Sequence, residues 1–425
     1  MPYLFGINSF ILADYAYHSR KKSIYAGANV VCFVAGLTYP HVPVQLKNFQ
    51  SCDIRSVNKT VKRVVFFIVT LGMGGAERQL FLLTTRLKDH GWDPLVVTQT
   101  DGYWGDRLRA QRIPVINIRG LWKLSSLRSL PKLLRSPDLA VSWGPSLAGS
   151  AYTRLHGKRL PMLFVEQGDG RATLTRTDKP VLTLIRHHAL AGANSQPALD
   201  RLLASGVFEP DWAGAVLENG IEIPDPQLSR WQSSLREELN IAPDAPVVGM
   251  IGNLREAKNL HMFLRVARRV HDAHPEAVFV QVGRGAPTDE EEKLLDSLPS
   301  GLVRFAGPRD NGAVLAGSFD VYTLTSRHEG LPNVILESMA WGIPVVATDV
   351  GQVPLVITNG ENGYHVPVDD DEAMAAHVIR LLGDAEERRA LGTEAKKLIQ
   401  QRFGVDHMTE AAVSLFNRIC AEHTG

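Results

Sequence analysis

The sequence predicts an α/β protein with two doubly wound parallel-sheet domains that face a central cleft. Its strand-like runs are continuously apolar, amphipathic stretches separate them, and the pattern stops near residues 222–230 and then restarts. Continuous apolar strands that alternate with helices are typical of a parallel sheet covered on both faces. A chain of 425 residues is also long enough for two or more domains.

The first series of elements begins at "RVVFFIVT" (63–70), which reads as a buried strand. A glycine-rich turn follows, and then a helix is predicted from about Ala76 to His90, where Gly91 ends it. Further strands of this series are predicted at 94–100, 114–118, 138–143, 161–166 and 189–194.

The break between the two series is "VLENGIEIPDPQLSRW" (216–231), in which Asn-Gly and two prolines interrupt regular structure. The second series has predicted strands at 245–253, 277–283, 302–307, 320–326, 343–349 and 363–367. Ligands of such sheets bind beyond the carboxyl ends of the strands, so the cleft between the domains is the predicted site. The predicted divisions are a domain at 61–224, a domain at 225–403, and a C-terminal helix at 404–425 that packs back on the first domain.

Residues 1–60 lack this strand–helix rhythm and are predicted to be an N-terminal extension of poor order. Within them, "RKKSIYAGANVVCFVAGLTYPHVPV" (20–44) puts three cations before a short apolar run, as a secretory signal does. The run is too short to span a bilayer, however, and no small-x-small cleavage site closes it.

The composition is that of a soluble globular protein, with 44% hydrophobic and 21% charged residues. A net charge of +1 does not indicate a nucleic-acid partner. The three cysteines, Cys32, Cys52 and Cys420, show no metal-ligand spacing. They fit a reducing compartment, and a cytoplasmic location is therefore expected.

A glycine-rich turn, "TLGMGGAERQL" (70–80), follows the first strand and opens the first helix. Gly72, Gly74 and Gly75 would let a ligand approach the amides of the helix N-terminus, which favour an anion. The turn does not match G-x-G-x-x-G, because position 77 is Glu77, and a dinucleotide dehydrogenase is disfavoured. Tight packing of the strand against the helix is the alternative reason for the glycines.

Two cations follow the first strand of the second series, in "IGNLREAKNLHMFLRVARRV" (251–270). Arg255 and Lys258 lie where a helix is predicted to begin, at the carboxyl edge of the sheet. Lys258 supplies a compact charge and Arg255 a fork that takes two phosphate oxygens, so the pair is suited to a diphosphate. A solvated helix start is the alternative.

Two glutamates lie eight positions apart in "SRHEGLPNVILESMAWGIPVV" (326–346). Glu329 falls in the turn after a strand, whereas Glu337 falls more than one turn into a helix that Pro332 starts and Gly342 ends. On one helix the two carboxylates would be about 12 Å apart along the axis. Glycosidase carboxylates are roughly 5–9.5 Å apart, so a hydrolase is disfavoured.

The segment between the glutamates presents backbone amides at a helix N-terminus, from Gly330, Leu331, Asn333 and Val334. Along the chain, the carboxylate of Glu329 is a hydrogen-bond acceptor, the backbone amides after it can bind an anion, and the carboxylate of Glu337 is a second acceptor. A hydroxyl-rich sugar, a diphosphate and a ribose match this order.

This segment resembles the glutamate-seven-residues-glutamate signature of the retaining nucleotide-sugar glycosyltransferases of family four, which belong to glycosyl transferases group 1 and have the two-Rossmann fold called GT-B. The resemblance covers roughly residues 63–400. It also includes "GMGGAER", "VLENGIEIP", the Arg255–Lys258 segment, "VGRGAP" (282–287), "VRFAGPRDN" (303–311) and "NGYHVP" (362–367).

The resemblance implies a donor site and a reaction. Glu329 would face the donor sugar and Glu337 the ribose, and Lys258 and Arg255 would hold the diphosphate with Asn253 beside them. The amides of Gly330, Leu331, Asn333 and Val334 would add to this site, and Gly74 and Gly75 would form the opposite wall. The sugar would pass to a glycan or lipid-linked acceptor with retention, without a metal or cofactor, as in polysaccharide or lipopolysaccharide biosynthesis.

Three positions depart from the family pattern. Asn253 stands where an arginine is common, Gln167 where many members have a histidine, and Leu355 where a glutamate is common. Two alternatives therefore stay open: a GT-B nucleotide-sugar epimerase, and a catalytically silent protein that binds sugar nucleotides.

The segment "RGLWKLSSLRSLPKLLRSP" (119–137) interleaves cations with leucines. Such a segment suits contact with an anionic membrane, and a peripheral position on the inner face of the cell membrane is expected on this interpretation. An ordinary helix that packs its leucines on the sheet is the alternative.

Overall fold

The computed structural model describes residues 61–118, 136–156, 160–168, 189–208, 214–225, 230–309 and 312–424. In these parts of the chain two parallel sheets with helices on both faces confirm the predicted doubly wound α/β class. The predicted extension at 1–60 lies outside the described residues. So does the 119–137 segment up to residue 135, and neither prediction is tested here.

The first sheet has seven parallel strands in the order β3-β2-β1-β4-β5-β6-β7. The strand order reverses between β1 and β4. The strands are β1 (Lys62–Thr70), β2 (Trp92–Thr100), β3 (Val115–Asn117), β4 (Leu139–Trp143), β5 (Met162–Glu166), β6 (Ala189–Ala193) and β7 (Ala215–Val216). The strand β7 was not predicted, since two residues carry no periodic signal.

The second sheet has six parallel strands in the order β10-β9-β8-β11-β12-β13, with its reversal between β8 and β11. Its strands are β8 (Val247–Ile251), β9 (Val278–Val282), β10 (Val303–Gly307), β11 (Val321–Leu324), β12 (Val345–Thr348) and β13 (Tyr364–Val366). Each one lies inside a predicted run.

Helices cover the faces of both sheets. Those before the break are α1 (Gly75–Leu87), α2 (Tyr103–Ala110), α3 (Leu147–His156) and α4 (Gln196–Ala204). Those after it are α5 (Arg230–Glu238), whose Leu235 joins a core of the second sheet, and α6 (Leu260–Ala273), α7 (Asp289–Asp296), α8 (Gly312–Leu315), α9 (Asn333–Trp341), α10 (Val353–Val356), α11 (Asp371–Gly383), α12 (Ala385–Leu398) and α13 (Val405–Thr424). None of the helices in the described part of the chain is both long and apolar enough to span a membrane.

Strand β1 shows why the sequence of the sheet is continuously apolar. Val64, Phe66 and Ile68 pack into a core on one face, while Val65 and Phe67 pack into a second core on the other. Successive side chains of a strand point to opposite faces, so a central strand buried on both sides is apolar along its length instead of alternating.

The chain returns to the first sheet at its C-terminal end. Helix α13 buries Phe416 against the rings of Phe66 and Trp92, with ring centroids 6.2 and 5.5 Å apart. Met408 and Leu415 of the same helix join this core. The last helix therefore packs on strands β1 and β2, from which it is separated by the whole of the second sheet in sequence.

Candidate functional site

The site lies where the strand orders of the two sheets reverse. A cavity of about 760 Å³ is lined by the glycine turn after β1, the segment after β8 and the start of α9. Its lining includes the predicted donor-site residues Gly74, Gly75, Asn253, Asn333, Val334 and Glu337. A larger cavity of about 1000 Å³ lies among residues 355–401 and holds none of the predicted site residues, so we place the candidate site in the first one.

Lys258 and Glu329 form one half-buried ion pair. Lys258 Nζ lies 2.6 Å from Glu329 Oε1, and the two side chains are 22% and 19% exposed. Ser326 Oγ donates a second hydrogen bond to Glu329 Oε1 at 2.9 Å. The structure therefore brings together the cation predicted for the diphosphate and the carboxylate predicted for the sugar.

Backbone contacts fix this pair. Thr325 Oγ1 donates to the carbonyl oxygen of Lys258 at 2.9 Å, and the amide of Arg327 donates to the carbonyl oxygen of Ala257 at 2.8 Å. A β-carbon at Gly252 would lie 3.1 Å from Lys258 Cε, so the lysine side chain packs along Gly252, which lines the cavity, whereas Lys258 and Glu329 themselves are not among the lining residues. The loop after β11 and the segment after β8 are held side by side.

The predicted helix start at Arg255 and Lys258 is displaced by one turn. A 3-10 turn covers Glu256–Lys258, and α6 begins only at Leu260. Asn259, in the left-handed region at φ 54°, caps α6 by accepting from the amide of Met262. This 3-10 turn is short and has no periodic pattern of its own, so the turn and the helix were predicted as one element.

Arg255 is exposed at the start of this 3-10 turn and does not line the cavity. Among the described residues no ion pair to its side chain occurs. Of the two predicted cations, the structure therefore brings only Lys258 into contact with a predicted carboxylate.

Glu337 is paired with Arg78, which the sequence analysis did not single out. Arg78 Nη1 donates to Glu337 Oε1 across the cleft, from α1 of the first sheet to α9 of the second. The Glu337 side chain is 6% exposed and that of Arg78 20% exposed. Arg78 follows Glu77 in "GMGGAER", and its cavity-facing place was not evident because a helical arginine is most often solvated.

A buried polar network joins the glycine turn to the start of α9. Gln79 exchanges two hydrogen bonds with the backbone of Gly220, at 2.9 and 3.0 Å. Asn333 Oδ1 accepts from Asn219 Nδ2 at 2.7 Å and from Gln79 Nε2 at 3.3 Å. A β-carbon at Gly75 would lie 2.8 Å from Asn333 Nδ2, so a larger residue here would push on the Asn333 side chain and its hydrogen bonds.

The carboxylate of Glu77 folds back over Gly74. A β-carbon at Gly74 would lie only 2.1 Å from Glu77 Oε2, so a larger residue here would displace the Glu77 carboxylate. Burial raises the pKa of the Glu77 carboxyl above its ordinary value, partly opposed by a backbone hydrogen bond. One of the predicted donor-site glycines thus has a carboxylate as its neighbour.

Gly330 makes a second close approach between the two sheets. A β-carbon at Gly330 would lie 2.6 Å from the carbonyl oxygen of Gly168, which follows β5, and 3.3 Å from Asn194 Oδ1, which follows β6. Next to Gly168, both polar atoms of the Gln167 side chain are buried without a hydrogen-bond partner in the part of the chain that the structure describes. Leu331 is buried behind this contact, and its carbonyl oxygen accepts from Asn219 Nδ2 at 3.4 Å.

Known proteins share this sequence pattern. Residues 245–384 match the family model described as "Glycosyl transferases group 1". The lipopolysaccharide core biosynthesis glycosyltransferase LpsE of Rhizobium meliloti is 33% identical over 181 residues, which are 42% of this chain and 52% of the relative. A D-inositol 3-phosphate glycosyltransferase of Corynebacterium jeikeium is 30% identical over 285 residues, 64% of each chain. The matches thus span about half to two thirds of these relatives.

Solved structures share the fold. Anabaena Alr3699/HepE, solved in complex with UDP-glucose, superposes with a TM-score of 0.70 at 22% identity, over 83% of this chain and 99% of that one. WaaG, a glycosyltransferase involved in lipopolysaccharide biosynthesis, gives 0.64 at 15%, over 83% and 99%. The two parallel-sheet units therefore form a GT-B fold. Residues 245–384 within it match the model of glycosyl transferases group 1, which confirms the resemblance to that group noted in the sequence.

Proposed function

We propose that this protein transfers a sugar from a nucleoside diphosphate sugar to a glycan or lipid-linked acceptor, with retention of the anomeric configuration and without a metal. The arrangement that supports the proposal most directly is a set of two carboxylates, each beside its own cation: Glu337 with Arg78 in the lining of the cavity, and Glu329 with Lys258 on the loop that precedes α9. The family match over 245–384 and the relatives named as glycosyltransferases agree with it.

The donor is proposed to lie along the cleft with its ribose at Glu337 and its sugar at Glu329. Its diphosphate then lies between them, beside Lys258 and the amides at the start of α9, with Arg255 at the rim. Positive charge and a helix N-terminus both stabilise an anion there.

The proposed reaction follows from this placement. The bond between the anomeric carbon and the diphosphate oxygen breaks, and Lys258 stabilises the charge that builds on the leaving diphosphate. The acceptor hydroxyl forms its bond on the same face of the sugar, and its proton passes to the departing phosphate oxygen. Glu329 accepts hydrogen bonds from the sugar hydroxyls and holds the ring in position.

The roles of the two domains are likewise proposed. Residues 61–224 would form the acceptor side and residues 225–403 the nucleotide-sugar side, with the C-terminal helix from 404 against the first domain. A cytoplasmic position, peripheral on the inner face of the cell membrane, would suit a lipid-linked acceptor. The basic segment 119–137 is the proposed contact with that surface.

The test is to incubate the protein with UDP-, GDP- and ADP-sugars and a panel of glycan and lipid-linked acceptors, with and without EDTA. We expect an acceptor-dependent product whose anomeric coupling by proton NMR equals that of the donor, at a rate that EDTA does not change. An isomerised nucleotide sugar without acceptor would indicate the epimerase instead. Tight nucleotide binding without turnover would indicate the silent binding protein, and an inverted product would overturn the mechanism.

A further inference from the structure

Arg78 occupies a place between the two parts of the proposed donor site. It lies on the first turn of α1, where its amide donates to the carbonyl oxygen of Gly74 at 3.2 Å. Its guanidinium reaches across the cleft to Glu337, and both side chains line the cavity together with Gly75. One cation therefore spans from the glycine turn to the proposed ribose carboxylate.

The guanidinium keeps unused donors in this position. Arginine has five N–H groups in a planar fork, and Arg78 places Nη1 on Glu337 Oε1. Neither Nε nor Nη2 of Arg78 has a hydrogen-bond partner in the described part of the chain. A carboxylate also accepts more than one hydrogen bond, so Glu337 Oε2 stays available to a ribose hydroxyl while Arg78 holds Oε1.

A nucleotide offers partners for both side chains: phosphate oxygens for the remaining donors of Arg78, and ribose hydroxyls for Glu337 Oε2. In a nucleoside diphosphate only the 5′ carbon and the 5′ oxygen separate the ribose ring from the first phosphorus, so a long side chain beside the ribose carboxylate is within reach of the phosphates. An arginine fork is the side chain best suited to phosphate oxygens. Removal of the guanidinium would leave a nearly buried carboxylate unpaired as well.

We propose that Arg78 is a donor-binding residue that bridges the site, holding Glu337 with one N–H and donating the others to the diphosphate of the nucleotide. Arg78 lies on α1, which packs on the first sheet, whereas the other proposed contacts to the diphosphate come from elements of the second sheet. This inference rests on the proposed function, since it requires a nucleoside diphosphate in the cleft.

The experiment is a double-mutant cycle on nucleotide affinity. Dissociation constants of UDP, GDP and ADP are measured by calorimetry for the full chain, and the tightest binder becomes the probe. It is then titrated into Arg78→Gln, Glu337→Gln and the double variant, with Arg78→Lys as the partial replacement. Arg380→Gln is the matched control, because it removes an arginine–glutamate pair, with Glu387, outside the cleft. The double variant leaves no unpaired charge and protects the test against misfolding of a single one.

We expect Arg78→Gln to weaken the probe by about 10- to 100-fold in both the wild-type and the Glu337→Gln backgrounds, as a lost charge-assisted hydrogen bond does. Arg78→Lys should recover part of the loss and Arg380→Gln should bind like wild type. No further loss in the Glu337→Gln background would mean that Arg78 acts only through Glu337, which overturns the inference and leaves the proposed function standing. Failure of the wild-type protein to bind any of the three nucleotides would instead overturn the proposed function, and the inference with it.

Discussion

Lys258 Nζ lies 2.6 Å from Glu329 Oε1, so the cation proposed for the leaving group and the carboxylate proposed for the sugar are one ion pair. Both side chains are mostly buried, and removing one partner leaves the other charge poorly compensated. A substitution of either residue therefore also disturbs the side chain of the other, so its effect on kcat includes a contribution from the partner.

Lys258→Ala is expected to lower kcat by about 10²–10³, which is the usual loss when one preorganised donor to a developing negative charge is removed. The side chain belongs to none of the hydrophobic cores, so the fold should remain, with a lowered thermal unfolding temperature because Glu329 loses its partner. Steady-state kinetics and a melting curve check both points. Arg255→Ala, at an exposed position, should lower kcat less than Lys258→Ala does. A Lys258→Ala enzyme with wild-type kcat would remove this residue from the site.

The two glutamates should separate in their kinetic effects. Glu337→Ala is expected to weaken donor binding by about 1.5–3 kcal/mol, since it loses a charged hydrogen bond to the ribose. Glu329→Gln should instead lower kcat, because its contacts matter most as charge develops on the sugar. Separate measurement of kcat and of the nucleotide dissociation constant tests the split, with Glu387→Gln as an acidic control outside the cleft. The opposite assignment of effects would reverse the proposed orientation of the donor.

The fold was predictable because its strands carry strong local signals. β1 is apolar at every position that faces either core, and Gly91 and Gly342, at φ 80° and 77°, end their helical segments as the sequence indicates. A C-terminal helix against the first domain was among the predictions, but the particular contacts of α13 with Phe66 and Trp92 join distant residues, and no local pattern specifies them.

The positions of the two carboxylates could be predicted from the sequence, but the cations with which they pair could not. The turn after β11 and the helix after it placed Glu329 and Glu337 correctly in a loop and in α9. That Lys258 pairs with Glu329 and Arg78 with Glu337 follows from side-chain reach across folded elements. Arg78 illustrates the difficulty, because an arginine on an amphipathic helix looks the same in sequence whether it faces water or a cleft.

Deletion of residues 1–60 is expected to leave a folded protein that binds nucleotide. The first sheet strand begins at Lys62, and every contact of the candidate site described above involves later residues. Circular dichroism, a melting curve and nucleotide titration of the shortened chain against the full chain provide the measurement. Aggregation of the shortened chain alone would show that the deleted segment protects the fold.

Glu77→Gln is expected to stabilise the fold at neutral pH. Burial raises the pKa of this carboxyl in the folded state, so its ionised form is less favourable there than in the unfolded chain. The contribution of Glu77 is thus most favourable below its ordinary pKa and is lost as the pH rises through the folded value. The unfolding temperature of Glu77→Gln should exceed that of wild type at pH 7 and approach it at pH 4. A constant difference between the two proteins across this range would exclude titration of Glu77 as the cause.

Gly330→Ala tests the contact between the two sheets next to Glu329. The added methyl group would meet the carbonyl oxygen of Gly168 at 2.6 Å, and a backbone atom cannot move aside as a flexible side chain does. The turn after β11 must then shift away from the segment after β5, and overpacking of this kind typically costs about 1–3 kcal/mol. Because Glu329 is the preceding residue, we expect kcat to fall along with the unfolding temperature. Gly383→Ala, which meets no atom within 4 Å at the end of α11, is the matched control and should leave kcat unchanged without lowering the unfolding temperature. If Gly330→Ala has the wild-type kcat and unfolding temperature, then the close approach of Gly330 to Gly168 is not required for the active arrangement of the cleft.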